Sequence, residues 1–384
     1  MLTFFLIVIF ARPFISSLAF PYLNVVYSLA FLIFLSAYVI HKKTPISRVK
    51  ILISPFVLFL LAILICVVFS QNKLNSILEL YKYIGGVLLF FVSIALSEEH
   101  KNLVRRTIVL AGVVASFLAI YQYFFSFKHV SDYLLNNKFL NPFAFDYLLR
   151  KRVFAPFVTP GILGGYLIMI IPLSLISKNR VWYFLPLFFA LLLTKSLSAF
   201  LSLFCVLIIY FCLRREIKKK HVFFLLGLFL LIIGIFISRS TLQKEYLQPV
   251  FSTVMRLNYW RETLGIIITH PWVGVGLGNF NLEMSRFAHN SYLQIWAEMG
   301  IFGLISFVWI VYVVFKTCLK NLAQSLYRNQ LAGLFAASAV FLIHNFLDFT
   351  FFLPEVVWVW WVILGLLWFE GAKIDLKSSF NQPK

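Results

Sequence analysis

Residues 51–70 read ILISPFVLFLLAILICVVFS, twenty positions without a charged side chain. A helix of about 20 predominantly apolar residues crosses the hydrocarbon core of a bilayer, so this stretch reads as a membrane span. HKKTPISRVK (41–50) stands before it and QNK (71–73) after it, with another apolar run beyond each. The alternation continues along the chain. Of its 384 residues, 61% are apolar and 12% charged, and the mean hydropathy is +0.91, against roughly 45–50% and about 25% in a soluble domain. Too little polar surface remains to cover a soluble core. The sequence therefore predicts an all-α, polytopic integral membrane protein, residues 1–384 forming a single membrane domain.

Apolar runs predict about twelve transmembrane helices by the length rule, near 2–20, 22–40, 51–69, 76–96, 103–125, 160–176, 181–194, 197–213, 222–238, 291–315, 329–347 and 356–370. The first run flows into the second without a cleavage signal and reads as a span. The chain carries 34 Lys+Arg against 14 Asp+Glu, a net +20. In a soluble protein that excess points to nucleic acid; here topology accounts for it, because cytoplasmic loops collect Lys and Arg. With residue 1 inside, the segments 41–50, 97–106, 177–180, 214–221, 316–328 and the C-terminal tail hold 4, 3, 2, 5, 3 and 3 Lys/Arg. Every inside segment is basic. Both termini then lie in the cytoplasm. Cys66, Cys205, Cys212 and Cys318 sit in apolar runs or at their ends, without disulfide or metal-ligand spacing.

The opposite face owns the two long polar segments, 126–158 and 239–290, and long loops in compact proteins commonly carry function. The second contains a helix-like stretch, Trp260 to Ile268, ending at Thr269-His270-Pro271. Arg150-Lys151-Arg152 closes the first loop, and Arg256-Leu-Asn-Tyr-Trp260-Arg261-Glu262 lies in the second. Guanidinium forks bind phosphate oxygens bidentately, so Arg152, Arg256 and Arg261 are candidates to clamp a lipid diphosphate. The alternative is that they snorkel to headgroups or pair with Asp146 and Glu262. His289, where the second loop enters the tenth span, is placed to take a proton from a sugar hydroxyl. Nine residues on, Glu298 must be paired or protonated in its apolar setting, by an arginine or at the end of a polar network. His344, beside Asn345 and near Asp348, wants a partner too. Glu298 and His344 are supporting candidates. Gly274-Val-Gly276-Leu-Gly278 lacks the strand that a dinucleotide site needs and instead predicts a tight re-entry turn with close backbone approach.

His289-Asn290-x9-Gly300-x-x-Gly303, within HNSYLQIWAEMGIFG, resembles the signature of the O-antigen ligases in the O-antigen ligase and polymerase family. Arg256-x-x-x-Trp260 followed by HPWVGVGLGNF, Arg152 before FAPFVTPG, and HNFLDFTFFLPE near the end are similar to further blocks of that family. LLLTKSLSAFLSL resembles its Thr-x-Ser-Arg stretch, with Leu197 where arginine is usual. The match covers about residues 150–365. The resemblance implies a GT-C-like membrane glycosyltransferase of the bacterial inner membrane with a periplasmic active site. Such an enzyme moves a glycan from undecaprenyl diphosphate to an acceptor sugar with inversion, using no metal, cofactor or nucleotide sugar. Its partners are the undecaprenyl-diphosphate-linked glycan, membrane lipids and, in the ligase branch, the lipid A-core oligosaccharide of lipopolysaccharide. On this reading His289 is the base and Arg152, Arg256 and Arg261 bind the diphosphate. In the polymerase branch the acceptor is another lipid-linked repeat unit. A lipid-linked glycan transporter is the alternative from another class, but it predicts related halves, and no internal symmetry is visible.

Overall fold

The computed structural model describes residues 1–41, 50–136, 147–148, 150–215, 217–240, 249–322, 325 and 327–380. Among them the regular structure is helical. The helices are α1 (Leu2–Ala11), α2 (Pro21–His41), α3 (Lys50–Val68), α4 (Lys73–Ala95), α5 (Glu98–Tyr121), α6 (Phe127–Asn136), α7 (Pro160–Leu175), α8 (Arg180–Thr194), α9 (Leu197–Arg214), α10 (Lys219–Ser240), α11 (Pro249–Thr269), α12 (Ser291–Leu322), α13 (Arg328–His344) and α14 (Pro354–Phe380). Eight are long and apolar enough to span a bilayer, and further apolar helices accompany them, as a multi-pass membrane protein requires.

Three expectations are corrected. The span expected over 2–20 stops at Ala11 and gives way to a 3₁₀ turn over Arg12–Phe14. Pro13 lacks a backbone donor, and the buried Arg12 donates to Ile15 O (3.0 Å) and Asn24 Oδ1 (2.6 Å). The loop expected from residue 126 begins later, because α5 runs through a π turn at Gln122–Ser126 into α6. The stretch read as helix-like over 260–268 is part of the longer α11. Asp146, one suggested arginine partner, lies outside the described residues.

The chain forms two compact units. In the first (1–25, 102–252, 336–344), α7 and α8 pair and α9 packs on α7 and α10. At Gly164 of α7 an added Cβ would lie 2.9 Å from the Ala199 side chain of α9, so the hydrogen permits their approach. The same unit joins the 150s to the α8–α9 corner, with Val153 N donating to Leu193 O at 3.2 Å.

In the second unit (26–101, 253–335, 345–384), α14 is buried nearly throughout over Pro354–Ala372. Its Trp358 and Trp361 fill the space left by Gly85 and Gly86 of α4. Trp358 Nε1 donates to Lys82 O at 2.9 Å. At one end, residues 70–76 meet 275–279 through Asn279 Nδ2 to Ser70 Oγ (2.6 Å) and Ser76 Oγ to Leu277 O (2.9 Å). At the other end of α12, Asn321 Nδ2 donates to Gly371 O (2.8 Å) and Gln330 Nε2 to Glu370 Oε1 (3.0 Å).

Candidate active site

Two neighbourhoods carry the chemistry-bearing residues, one in each unit. In the second unit the site starts from a break in α12. Gly300 adopts φ 67°, ψ −178°, outside helical geometry, and the break frees the carbonyls of Ala297 and Glu298. Buried carbonyls need partners. The glycine run supplies them: Val275 N donates to Ala297 O (2.9 Å) and Gly276 N to Glu298 O (3.0 Å), while Ile301 N donates to Pro271 O (3.0 Å). Gly274, Gly276 and Gly278 have φ of +73°, +102° and +68°. A side chain on Gly274 would overlap the Glu298 carbonyl. The tight turn with close backbone approach is what these glycines make.

His289 stands two residues before α12 with a left-handed backbone, φ 52°. Asn290 caps the helix, its Oδ1 accepting from Tyr292 N (3.0 Å) and Leu293 N (3.2 Å). The imidazole lies between Tyr259 of α11 (centroids 5.7 Å, planes 21° apart) and the edge-on Phe349 (4.8 Å, 88°). Its buried Nδ1 has no hydrogen-bond partner among the described residues. Burial pushes its pKa down to about 4; Asp348 pulls upward and Arg256 adds to the depression. The ring is neutral at pH 7.

Arg256 and Tyr259 occupy neighbouring positions on one face of α11, continued by the buried Thr263 and Ile267. Arg261, five residues after Arg256, is turned about 140° around the helix and is exposed. The geometry separates these two arginines. Glu298 is 3% exposed and meets no arginine among its hydrogen bonds: Oε1 accepts from Gln294 Nε2 (2.9 Å) and Oε2 from Gly278 N (3.2 Å). It terminates a polar network.

In the first unit, Arg152 is 9% exposed. Its Nε donates to Thr194 O (3.0 Å) and its guanidinium lies 5.4 Å from the Tyr147 ring centroid. Gln122 Oε1, in the π turn, accepts from Phe154 N (2.8 Å) and Ala155 N (3.0 Å) and fixes the chain just after Arg152. Lys195 ends α8 in a left-handed conformation, and its Nζ donates to Arg150 O at 2.7 Å. Burial lowers its pKa, and Arg152, Arg150 and Lys151 lower it further. Four cations therefore share one corner. Lys195 is the residue that sequence reasoning missed. Its signal was the TKSL stretch, where a lysine stands two positions before the leucine that replaces arginine. His344, the last residue of α13, is fully buried in this same unit.

Residues 182–308 match the sequence model of a family described as O-antigen ligase. That segment holds Lys195, Arg256, Arg261, His289 and Glu298 and excludes Arg152 and His344. Over 324 residues the chain is 24% identical to a candidate polysaccharide ligase of Rickettsia prowazekii, covering 78% of this chain and 74% of that protein. It is 25% identical over 344 residues to a candidate polysaccharide ligase of Rickettsia typhi, covering 83% and 79%. Another from Rickettsia conorii is 25% identical over 328 residues, covering 78% and 73%. The fold is that of a multi-pass helical membrane protein, and the matches are to polysaccharide ligases. The chain is thus similar to the O-antigen ligase family over residues 182–308 and to these polysaccharide ligases over most of its length.

Proposed function

We propose that this protein is a glycosyltransferase that moves a glycan from undecaprenyl diphosphate to a sugar of the lipid A-core, at the periplasmic face of the bacterial inner membrane. The observation that carries the reading is the neutral imidazole of His289, held in a strained backbone position beside the charges of Arg256 and Asp348. A general base must be deprotonated before the reaction, and burial favours the neutral ring of His289.

In the proposed step the acceptor hydroxyl gives its proton to His289 while its oxygen attacks the anomeric carbon opposite the diphosphate. The anomeric carbon–oxygen bond breaks, its electron pair leaves with the diphosphate, and the configuration inverts. Arg256 meets the charge that grows on the leaving group, a role fixed cations fill well in a water-poor site; Arg152 is assigned to the diphosphate from its sequence motif alone. Lys195 adds charge at the Arg152 corner. Asp348 steadies the imidazolium. Exposed Arg261 is assigned a lesser part in holding the diphosphate. His344 is assigned no contact with substrate.

Because Arg256 depresses the basicity of His289, a bound diphosphate beside Arg256 cancels that effect and makes the imidazole a stronger base. The acid limb of kcat/KM, which reports free enzyme, is therefore expected near pH 4, with the limb of kcat at higher pH. Coincident limbs near 6.5 would contradict this. Arg152→Lys and Arg256→Lys keep the charge but lose the fork. Each is expected to slow turnover roughly 10²-fold, the range for losing one preorganised donor; wild-type rates in both would remove the clamp.

The deciding experiment is reconstitution in nanodiscs with undecaprenyl-diphosphate-linked glycan, with and without lipid A-core, and products resolved on a gel. Glycan on the lipid A-core is the expected result. A ladder of lengthened lipid-linked glycan without the core would make the protein a polymerase, and no transfer by folded protein would overturn the enzyme reading.

A further inference from the structure

His289 is held from both sides along the chain. Downstream, Ser291 N donates to Asn345 O (2.8 Å) and Ser291 Oγ to Asn345 Oδ1 (2.7 Å), next to the Asn290 cap. Upstream, Ala288 is fully buried and its N–H donates to Gln294 Oε1 at 3.1 Å. Gln294 lies one turn inside α12 and is 2% exposed. A glutamine amide turns about a broad, roughly two-fold torsion, so the bond to Ala288 alone leaves its other end unfixed. Glu298, four residues on and hence on the same face, takes the amide N–H on Oε1. Its Oε2 takes the N–H of Gly278, the last glycine of the run seated in the helix break. Glu79 and Lys82 of α4, paired with each other, lie within electrostatic reach of Glu298. Both oxygens of Glu298 accept and both ends of the Gln294 amide are used. The chain of bonds runs without a gap from the glycine turn to the peptide that carries the base.

We infer that Gln294 and Glu298 are positioning residues for His289, which transmit the seating of the glycine turn to the left-handed peptide of the base. This rests on His289 being the base. Neither side chain touches substrate. A left-handed non-glycine residue persists only where its surroundings over-determine it; here Gln294 supplies the upstream restraint. Loosening it lets the imidazole drift from the acceptor hydroxyl while the cations that hold the diphosphate stay in place. Turnover then falls and donor affinity does not.

The donor–acceptor pattern prescribes the test. Gln294→Ala removes two bonds, and Gln294→Glu faces two carboxyl groups at the same spot. Combining Gln294→Glu with Glu298→Gln restores all three bonds with only the middle one reversed: position 294 accepts from Ala288 N and from the new amide, whose oxygen accepts from Gly278 N. Each variant is purified in nanodiscs and assayed for kcat and donor KM with lipid-linked glycan and lipid A-core, His289→Asn alongside. The single variants are expected to lose about 10- to 100-fold in kcat, as misplacement by about 1 Å does, with KM within about twofold. The double exchange should return kcat to within a few-fold of wild type. Wild-type kcat in folded single variants would overturn the inference, as would a rise in KM alone. A double exchange that folds but stays slow, or does not fold, overturns it too. If His289→Asn keeps wild-type activity, the base assignment falls; if His289→Asn is inactive while the Gln294 variants are not, only the positioning role falls.

Discussion

His289→Asn is expected to fold as the wild type does and to lose on the order of 10²–10⁴ in turnover, the range that removing a general base costs. Asparagine is the informative replacement because position 289 has φ 52°. Asparagine enters the left-handed region more readily than most residues, so it removes the imidazole without disturbing the backbone. Alanine there carries a further conformational cost of about 1–2 kcal/mol, and His289→Ala should therefore melt lower as well as turn over more slowly. Comparing the two separates chemistry from folding. Equal melting temperatures would show that the peptide is not held in the left-handed form, and a His289→Asn enzyme with wild-type kcat would show that another group removes the proton. Tyr259 stacks on the ring, and the charge of Asp348 acts on it.

How much of this the sequence carried depended on whether the signal was local. Charge-free runs such as 51–70 announced their helices, because a bilayer leaves the backbone no other way to satisfy its polar groups. The run 2–20 misled, since Pro13 and the need of Arg12 for acceptors end α1 after ten residues. The loop expected at 126 failed for the opposite reason. Lys128 and His129 look like a loop in sequence, but a π turn lets the helix continue through them. In the candidate site, His289 and Arg256 could be singled out from sequence because their motif is short. Asp348 acquires its relation to His289 only through folding, across 59 residues of chain. Lys195 hid in a segment whose expected arginine is missing, and only the corner shared with Arg150 and Arg152 reveals it. Gln294 and Glu298 have helical i, i+4 spacing that sequence could offer; the bond to Gly278 it could not.

Gly300→Ala is expected to be the most damaging single-methyl change in the second unit. Two independent costs meet there. At φ 67°, ψ −178° the backbone occupies a region essentially reserved for glycine, which costs about 1–3 kcal/mol for any other residue. An added Cβ would also overlap the Trp272 carbonyl and lie 2.5 Å from Val273 N. Those atoms are backbone and cannot rotate aside, and Ile301 N holds the neighbouring Pro271 O at 3.0 Å. The glycine turn and the helix break must therefore come apart, leaving the Ala297 carbonyl without its backbone donor and the Glu298 carbonyl with only the Cys66 thiol in an apolar setting. Together these place the destabilisation at roughly 4 kcal/mol or more, among the largest that point substitutions produce. The loss should appear as a much lower melting temperature in detergent and a small folded fraction on size exclusion. Gly265→Ala, in α11 of the same unit, is the control. Nothing lies within 4 Å of its would-be Cβ, and alanine is the better helix former by about 1 kcal/mol, so its melting temperature should stay or rise. If Gly300→Ala melted like Gly265→Ala, α12 would be continuous through residue 300. Glu298 would then have no route to Gly278, and the restraint on His289 would have to arise elsewhere.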